Sequence, residues 1–190
     1  MADISPDLLR EILDEVRADS SGEVASYLES YVPLDPDALA LAVCDLNGHV
    51  VSAGNDEVLF DLQSASKPFV YGLALDQKGV DAVAARIGVE PSGEAYNEIS
   101  LEAGTGRAPN ALVNAGALAA HALVGEEDDD EDSRVEQIRS FLSRLAGREL
   151  EVDPTVLEIE SRDQHRNQAL AHLLAEEGTL AQDPHAVVAG

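Results

Sequence analysis

Phe60-Asp61-Leu62-Gln63-Ser64-Ala65-Ser66-Lys67-Pro68-Phe69 is the stretch from which the rest of the chain can be read. It places a hydroxyl, Ser64, three residues ahead of an amine, Lys67, just before the apolar run from Phe69 to Leu75. On a helix such a pair shares one face, so the amine can reach the hydroxyl. A serine becomes a useful nucleophile only beside a base. A lysine serves as that base only where burial or a neighbouring cation lowers its proton affinity. The start of a helix suits the chemistry, because its free N–H groups and positive dipole end favour a developing oxyanion. The spacing alone is also met in a helix start whose lysine is simply solvated. Against that reading stands the scarcity of lysine: Lys67 and Lys78 are the only two in the chain. Ser66 is a rival nucleophile by position, but its i+3 neighbour is Phe69, which offers no base.

The 190 residues suffice for one domain with a real core, and 45% of them are hydrophobic. The apolar content is mostly Ala, Leu and Val, a composition that leans towards helices. With 37 acids against 12 bases the formal charge is −25, which argues against nucleic acid and anionic membranes as partners, since both need clustered Lys and Arg. Many acids with few lysines also fit a chain adapted to a salt-rich cytoplasm. The single cysteine, Cys44, cannot form an internal disulfide, and its place beside the apolar run Ala38–Val43 predicts a buried, inert thiol. Residues 1–20 are charged and amphipathic without a signal-peptide core, and no apolar run approaches bilayer length. The chain reads as cytoplasmic.

Outward from the serine stretch, the spacing predicts a helix over Pro6–Arg17 capped by Ser5, and a second short helix over Glu23–Tyr31. Strands follow over Leu39–Asp45 and His49–Ala53, joined by a two-residue turn at Asn47-Gly48, with His49 a solvated edge residue. Residues 56–62 then run extended into the serine stretch. Downstream, helices are expected over Ser66–Gln77, Val80–Ile87, Ala111–Leu118 (interrupted by the amide of Asn114), Val135–Leu145 and, with a break near 161–165, Pro154–Leu174. A last short helix opens at Asp183-Pro184. The acids Glu126–Asp132 read as a solvated loop. Histidines 121, 165, 172 and 185 share no metal-ligand spacing with each other or with Cys44, so no metal is expected.

Taken together, these pieces resemble the serine-dependent glutaminases of the β-lactamase-like fold. The matching residues are Gly22-x-Val24-Ala25-x-Tyr27, Gln63-Ser64-x-Ser66-Lys67, Glu90-Pro91-Ser92-Gly93-x-x-Tyr96-Asn97, Asn110-x-x-x-Asn114-Ala115-Gly116-Ala117, and Glu160 followed by Arg166-Asn167-x-Ala169. The resemblance implies an α/β (α+β), β-lactamase/transpeptidase-like fold. Residues 1–63 would supply N-terminal helices and the early hairpin of the central sheet, and 64–190 the nucleophile helix and a helical lobe. It implies hydrolysis of L-glutamine to L-glutamate and ammonia, with Ser64 as nucleophile and Lys67 as base. Asn114, Glu160 and Asn167 would bind substrate, with Gln63 and Tyr27 lining the same pocket. No metal or organic cofactor is implied, and a homodimer or homotetramer is the expected assembly of the full-length form.

The sequence departs from the family at Pro109 and Ala111, which replace the usual arginine and proline around Asn110, and at Ile159, which replaces a serine. Family members are also longer. The match ends before two further pocket tyrosines and before a late strand that supplies an oxyanion N–H. The chain is therefore expected to be an N-terminal portion of such an enzyme, poorly active alone and prone to misfold. Two other readings fit the serine–lysine pair: an acylating enzyme of the β-lactamase or penicillin-binding type, and a non-catalytic glutamine-binding relative. The first needs a Ser-x-Asn loop that is not evident here, and the second is disfavoured by the retained Glu160 and Asn167.

Overall fold

The structure is a computed structural model that describes residues 4–19, 21–23, 35–126 and 128–190. It forms two compact units, residues 1–61 and 62–190. The expected helix over Glu23–Tyr31 lies largely outside the described residues, as does Tyr27.

In the first unit, α1 spans Pro6–Val16; Ser5 Oγ accepts the Leu8 N–H at 3.2 Å and Pro6 takes the first helical position, where its missing N–H costs nothing. Its buried residues Leu9 and Leu13 pack on Ala53 and the partly buried Leu39, Leu41, Val43 and Val51. Apart from Leu39, which directly precedes β1, those side chains belong to an antiparallel hairpin of β1 (Ala40–Cys44) and β2 (Val50–Gly54), paired from Ala40↔Gly54 to Cys44↔Val50.

The turn differs from expectation. Cys44 pairs with Val50, and Asp45 N–H donates to the His49 carbonyl at 3.0 Å, which leaves a three-residue loop, 46–48. Asp45 decides this, because its carboxylate accepts the N–H groups of Asn47 (2.7 Å) and His49 (2.9 Å), while Gly48 supplies the positive φ of 84° that closes such a loop. His49 is exposed, as expected, with Nδ1 3.1 Å from Asp45 Oδ2. Cys44 is exposed rather than buried. Strand alternation puts Leu41 and Val43 towards α1 and turns Ala40, Ala42 and Cys44 outward, so an apolar neighbourhood in sequence did not mean burial.

The second unit is helical. A 3-10 turn over Gln63–Ser66 runs into α2 (Lys67–Lys78), which ends at Gly79 with φ 80°; α3 covers only Val80–Ala84. The helix expected to reach Ile87 stops there because the chain at Ile87 forms a parallel bridge to Ala108, reinforced by Gly88 N–H to Ala108 O at 2.7 Å. Then follow α4 (Asn114–Leu123), α5 (Glu131–Ala146), α6 (Pro154–Glu160), α7 (His165–Glu176) and α8 (Pro184–Ala189).

Helix α4 is the centre of the unit. Ala119, Ala120 and Leu123 pack with Val70, Leu73 and Ala74 of α2, and with Val83 and Ile87. Ala115 meets Leu170 of α7 and Ala108, while Ala122 joins Ala171, Leu174, Leu180, Val187 and Val188. Its small side chains allow close approach from several sides, which a leucine-rich helix would prevent. The acidic stretch before α5 is not a free loop. Asp130 caps the helix by accepting the Ser133 N–H at 2.8 Å, and Asp129 accepts Gln137 Nε2 at 2.8 Å. The last helix rests on a similar cap, since Asp183 Oδ1 accepts the N–H groups of His185 and Ala186 at 3.0 Å. Asp183→Ala should cost about 1 kcal/mol. For a domain of this size that lowers the melting temperature by roughly 2–4 °C in a calorimetric scan.

Candidate functional site

The candidate residues among those described all fall in the second unit, on five of its elements. Gln63 and Ser64 open the 3-10 turn, and Lys67 begins α2. Asn114 begins α4, Glu160 ends α6, and Asn167 lies in the first turn of α7.

The entry to the serine is strained. Gln63 has a φ of 42° and is the only non-glycine residue with positive φ among the described residues. Such a conformation costs on the order of 1 kcal/mol and persists where surrounding contacts impose it. One contact is visible: Gln63 Nε2 donates to Glu160 Oε1 at 3.4 Å, across 97 positions of sequence. Ser64 is exposed on the turn that this kink creates, and the turn hands its backbone on to the helix through the Lys67 N–H, which donates to the Ser64 carbonyl. Ser66, the rival nucleophile, instead donates its hydroxyl to the Gln63 carbonyl at 2.6 Å.

Lys67 is half-buried, and burial lowers the proton affinity of its amine below the usual lysine range. Its Nζ donates to the Leu112 carbonyl at 3.0 Å and to Asn114 Oδ1 at 2.8 Å, and lies 5.8 Å from the centre of the Tyr96 ring. Asn114 passes the chain of hydrogen bonds on, its Nδ2 donating to Asn167 Oδ1 at 3.1 Å. Lys67, Asn114 and Asn167 therefore form one continuous polar row, while Gln63 and Glu160 form a second contact on the other side of Ser64 in sequence. The bond expected between the lysine amine and the serine hydroxyl is not made; the amine is held by the two carbonyl oxygens.

Asn114 does not interrupt a helix over Ala111–Leu118; it starts one. The reason is Asn110, whose Oδ1 accepts the N–H groups of Leu112 (2.9 Å) and Val113 (3.3 Å) and bends the chain into a turn before α4. Asn110 Nδ2 donates to the Glu90 carbonyl at 3.0 Å, and Asn114 N–H donates to the Tyr96 carbonyl at 2.9 Å, so the loop over 90–110 is pinned at the start of α4. Arg166 adds a third tie, to the Asn97 carbonyl at 3.4 Å. Tyr96 and the Leu112 carbonyl were not legible as parts of the site, although Tyr96 is one of few aromatics in a chain where these are 4% of residues. No group of three or more His, Cys, Asp and Glu side chains among the described residues is placed to hold a metal ion. None of the described helices is long and apolar enough to cross a membrane.

A helical unit centred on α4 and a small antiparallel sheet make a mixed α and β fold of the β-lactamase-like class. The solved structure of Mglu in its glutamate form matches the whole chain with a TM-score of 0.90 at 40% identity, over 43% of that protein's length. A solved probable glutaminase, YbaS, matches 97% of the chain with a TM-score of 0.88 at 28% identity. In sequence, the chain is 46% identical over 183 residues to a glutaminase of Corynebacterium efficiens, covering 96% of this chain and 43% of that one. It is 42% identical to a Clavibacter michiganensis glutaminase over 90% of this chain and 52% of that one. The glutaminase family profile matches residues 22–190. The chain belongs to the glutaminase family, and it spans about half the length of the curated relatives it matches.

Proposed function

We propose that this chain carries the nucleophile, the base and the polar substrate ligands of an enzyme that hydrolyses L-glutamine to L-glutamate and ammonia. The observation that supports it best is the Lys67 amine, half-buried one turn after Ser64 and held by two carbonyl oxygens. A neutral lysine amine has two N–H donors and one lone pair. With both donors engaged by Leu112 O and Asn114 Oδ1, the lone pair remains to accept the Ser64 proton. Ser64 Oγ then bonds to the side-chain amide carbon of glutamine, and the C–N bond breaks. The proton held by Lys67 leaves with the nitrogen as ammonia, and a glutamyl ester stays on Ser64. Water adds to that ester, Lys67 takes a proton from it, and glutamate departs as the serine hydroxyl is restored.

The substrate's ammonium suits the Glu160 carboxylate, and its carboxylate and amide suit Asn114, Asn167 and Gln63. Tyr27 joins them on the strength of the family motif. No metal or organic cofactor has a step to perform in this scheme. The reading places the enzyme in the cytoplasm as a homo-oligomer of the full-length form.

The direct test is covalent. A glutamine analogue bearing an electrophilic carbon in place of the amide should add its mass to the peptide containing Ser64, and not to the Ser64→Ala chain. Reversible binding of glutamine, with neither labelling nor ammonia release, would favour a non-catalytic binding relative.

The pH dependence follows from Lys67. Its burial favours the neutral amine. Protonation at low pH removes the base, so kcat/KM rises with pH through the Lys67 transition. That midpoint should lie below the usual lysine range, as read from initial rates of ammonia release, and Lys67→Met should abolish the rise.

A further inference from the structure

The Tyr96 ring has no part in the steps above, yet among the described residues it is the one aromatic group set against the lysine amine. Its centre lies 5.8 Å from Lys67 Nζ, within the range where a ring face attracts a cation. Its place is not accidental to a loose loop. The Tyr96 carbonyl accepts the Asn114 N–H at 2.9 Å, the next carbonyl, of Asn97, accepts from Arg166 at 3.4 Å, and Asn110 ties the same loop back to Glu90 at 3.0 Å. The backbone on both sides of the ring is thus fastened to the starts of α4 and α7, the helices that carry Asn114 and Asn167.

We propose that Tyr96 is a positioning residue for the glutaminase reaction, its ring face steadying the Lys67 ammonium formed when the amine takes the serine proton. This rests on the reading of Lys67 as the base. Burial disfavours the ammonium, and a base that could not hold a proton at all would not take one from serine. The ring face, 5.8 Å from the amine, opposes the effect of burial alongside the Leu112 and Asn114 oxygens, so the amine can hold a proton briefly and release it to the leaving nitrogen. The other ionisable groups on the surrounding segments are Glu90, Glu94, Glu98, Glu102 and Arg107 in the loop, Glu158 and Glu160 in α6, and His165 and Arg166 at the start of α7. All of them are left unchanged in the variants below.

The chain contains two lysines, which makes the proposal directly readable. In the full chain labelled with 13C-lysine, two side-chain signals titrate, and Lys78→Arg assigns them. Tyr96→Leu keeps the amine covered but removes the ring face, so the Lys67 midpoint should fall by about half a pH unit, roughly threefold in proton affinity. Tyr96→Phe should match the parent. Tyr96→Trp, with the strongest ring face, should raise the midpoint, and it decides the matter if the leucine variant fails to fold. A leucine variant that is folded but has an unchanged or raised midpoint overturns the proposal, as does a tryptophan variant no higher than the parent. The titration needs no turnover. Failure of Ser64 to take the covalent label would defeat the hydrolase reading while leaving this result standing.

Discussion

Ser64→Ala should lower glutamine hydrolysis by about 10⁴-fold or more in kcat, since removal of a covalent nucleophile leaves only binding and oxyanion stabilisation. The fold should survive, because Ser64 is exposed and its backbone carbonyl, rather than its side chain, holds the Lys67 N–H. Far-ultraviolet circular dichroism and the melting temperature should therefore match the parent, and glutamine should still bind. The change also separates the two hydroxyls of the motif. Ser66→Ala removes only a hydrogen bond to the Gln63 carbonyl, so it should lower kcat modestly, by loosening the strained turn, and should not remove the label on Ser64. A Ser64→Ala chain that kept most of its rate of ammonia release would sink the acyl-enzyme reading.

Gly116→Ala should be the most damaging single methyl group in the second unit. A Cβ at Gly116 would meet the Asn110 carbonyl oxygen at 1.9 Å and the Ala111 Cα at 2.9 Å. These are backbone atoms, so they cannot swing aside as a side-chain end would. The helix α4 or the Asn110 turn must shift, at about 3 kcal/mol. That lowers the melting temperature by roughly 6–12 °C in a chain of this length. The damage reaches the chemistry too, because the same turn presents the Leu112 carbonyl and Asn114 to the Lys67 amine. Activity should fall at temperatures well below the melting transition, and the Lys67 titration should move with it. A stable, fully active alanine variant would show that the turn does not position the amine.

Much of this architecture was readable because it depends on neighbours in sequence. The helix α1 follows from a serine cap, a proline at the first position and leucines at helical spacing, and all three acted where they stood. Asp183-Pro184 opens the last helix, as its cap and first-position proline imply. The serine–lysine pair, Asn114, Glu160 and Asn167 were singled out by type and motif, and the fold brings them onto connected segments of one unit.

Misreadings arose where a distant or polar partner outweighed local pattern. The Asp45 carboxylate lengthened the hairpin loop by gathering two N–H groups. The bridge between Ile87 and Ala108 cut α3 short, and the Asn110 turn delayed α4 to Asn114. The Cys44 thiol faces outward because strand alternation, not the polarity of its neighbours, sets its side.

Local chemistry thus determined that a hydroxyl and an amine would share a helix start, while the amides and the carboxylate expected to meet glutamine came from the resemblance to a family motif. Only the tertiary structure decided what the amine touches. Burial and two carbonyl oxygens from a segment 45 to 47 residues away hold Lys67, and an aromatic ring from a third segment faces it. Proton affinity depends on desolvation and on charges and dipoles within a few ångströms, whatever their distance along the chain. No reading of neighbours in sequence could supply those.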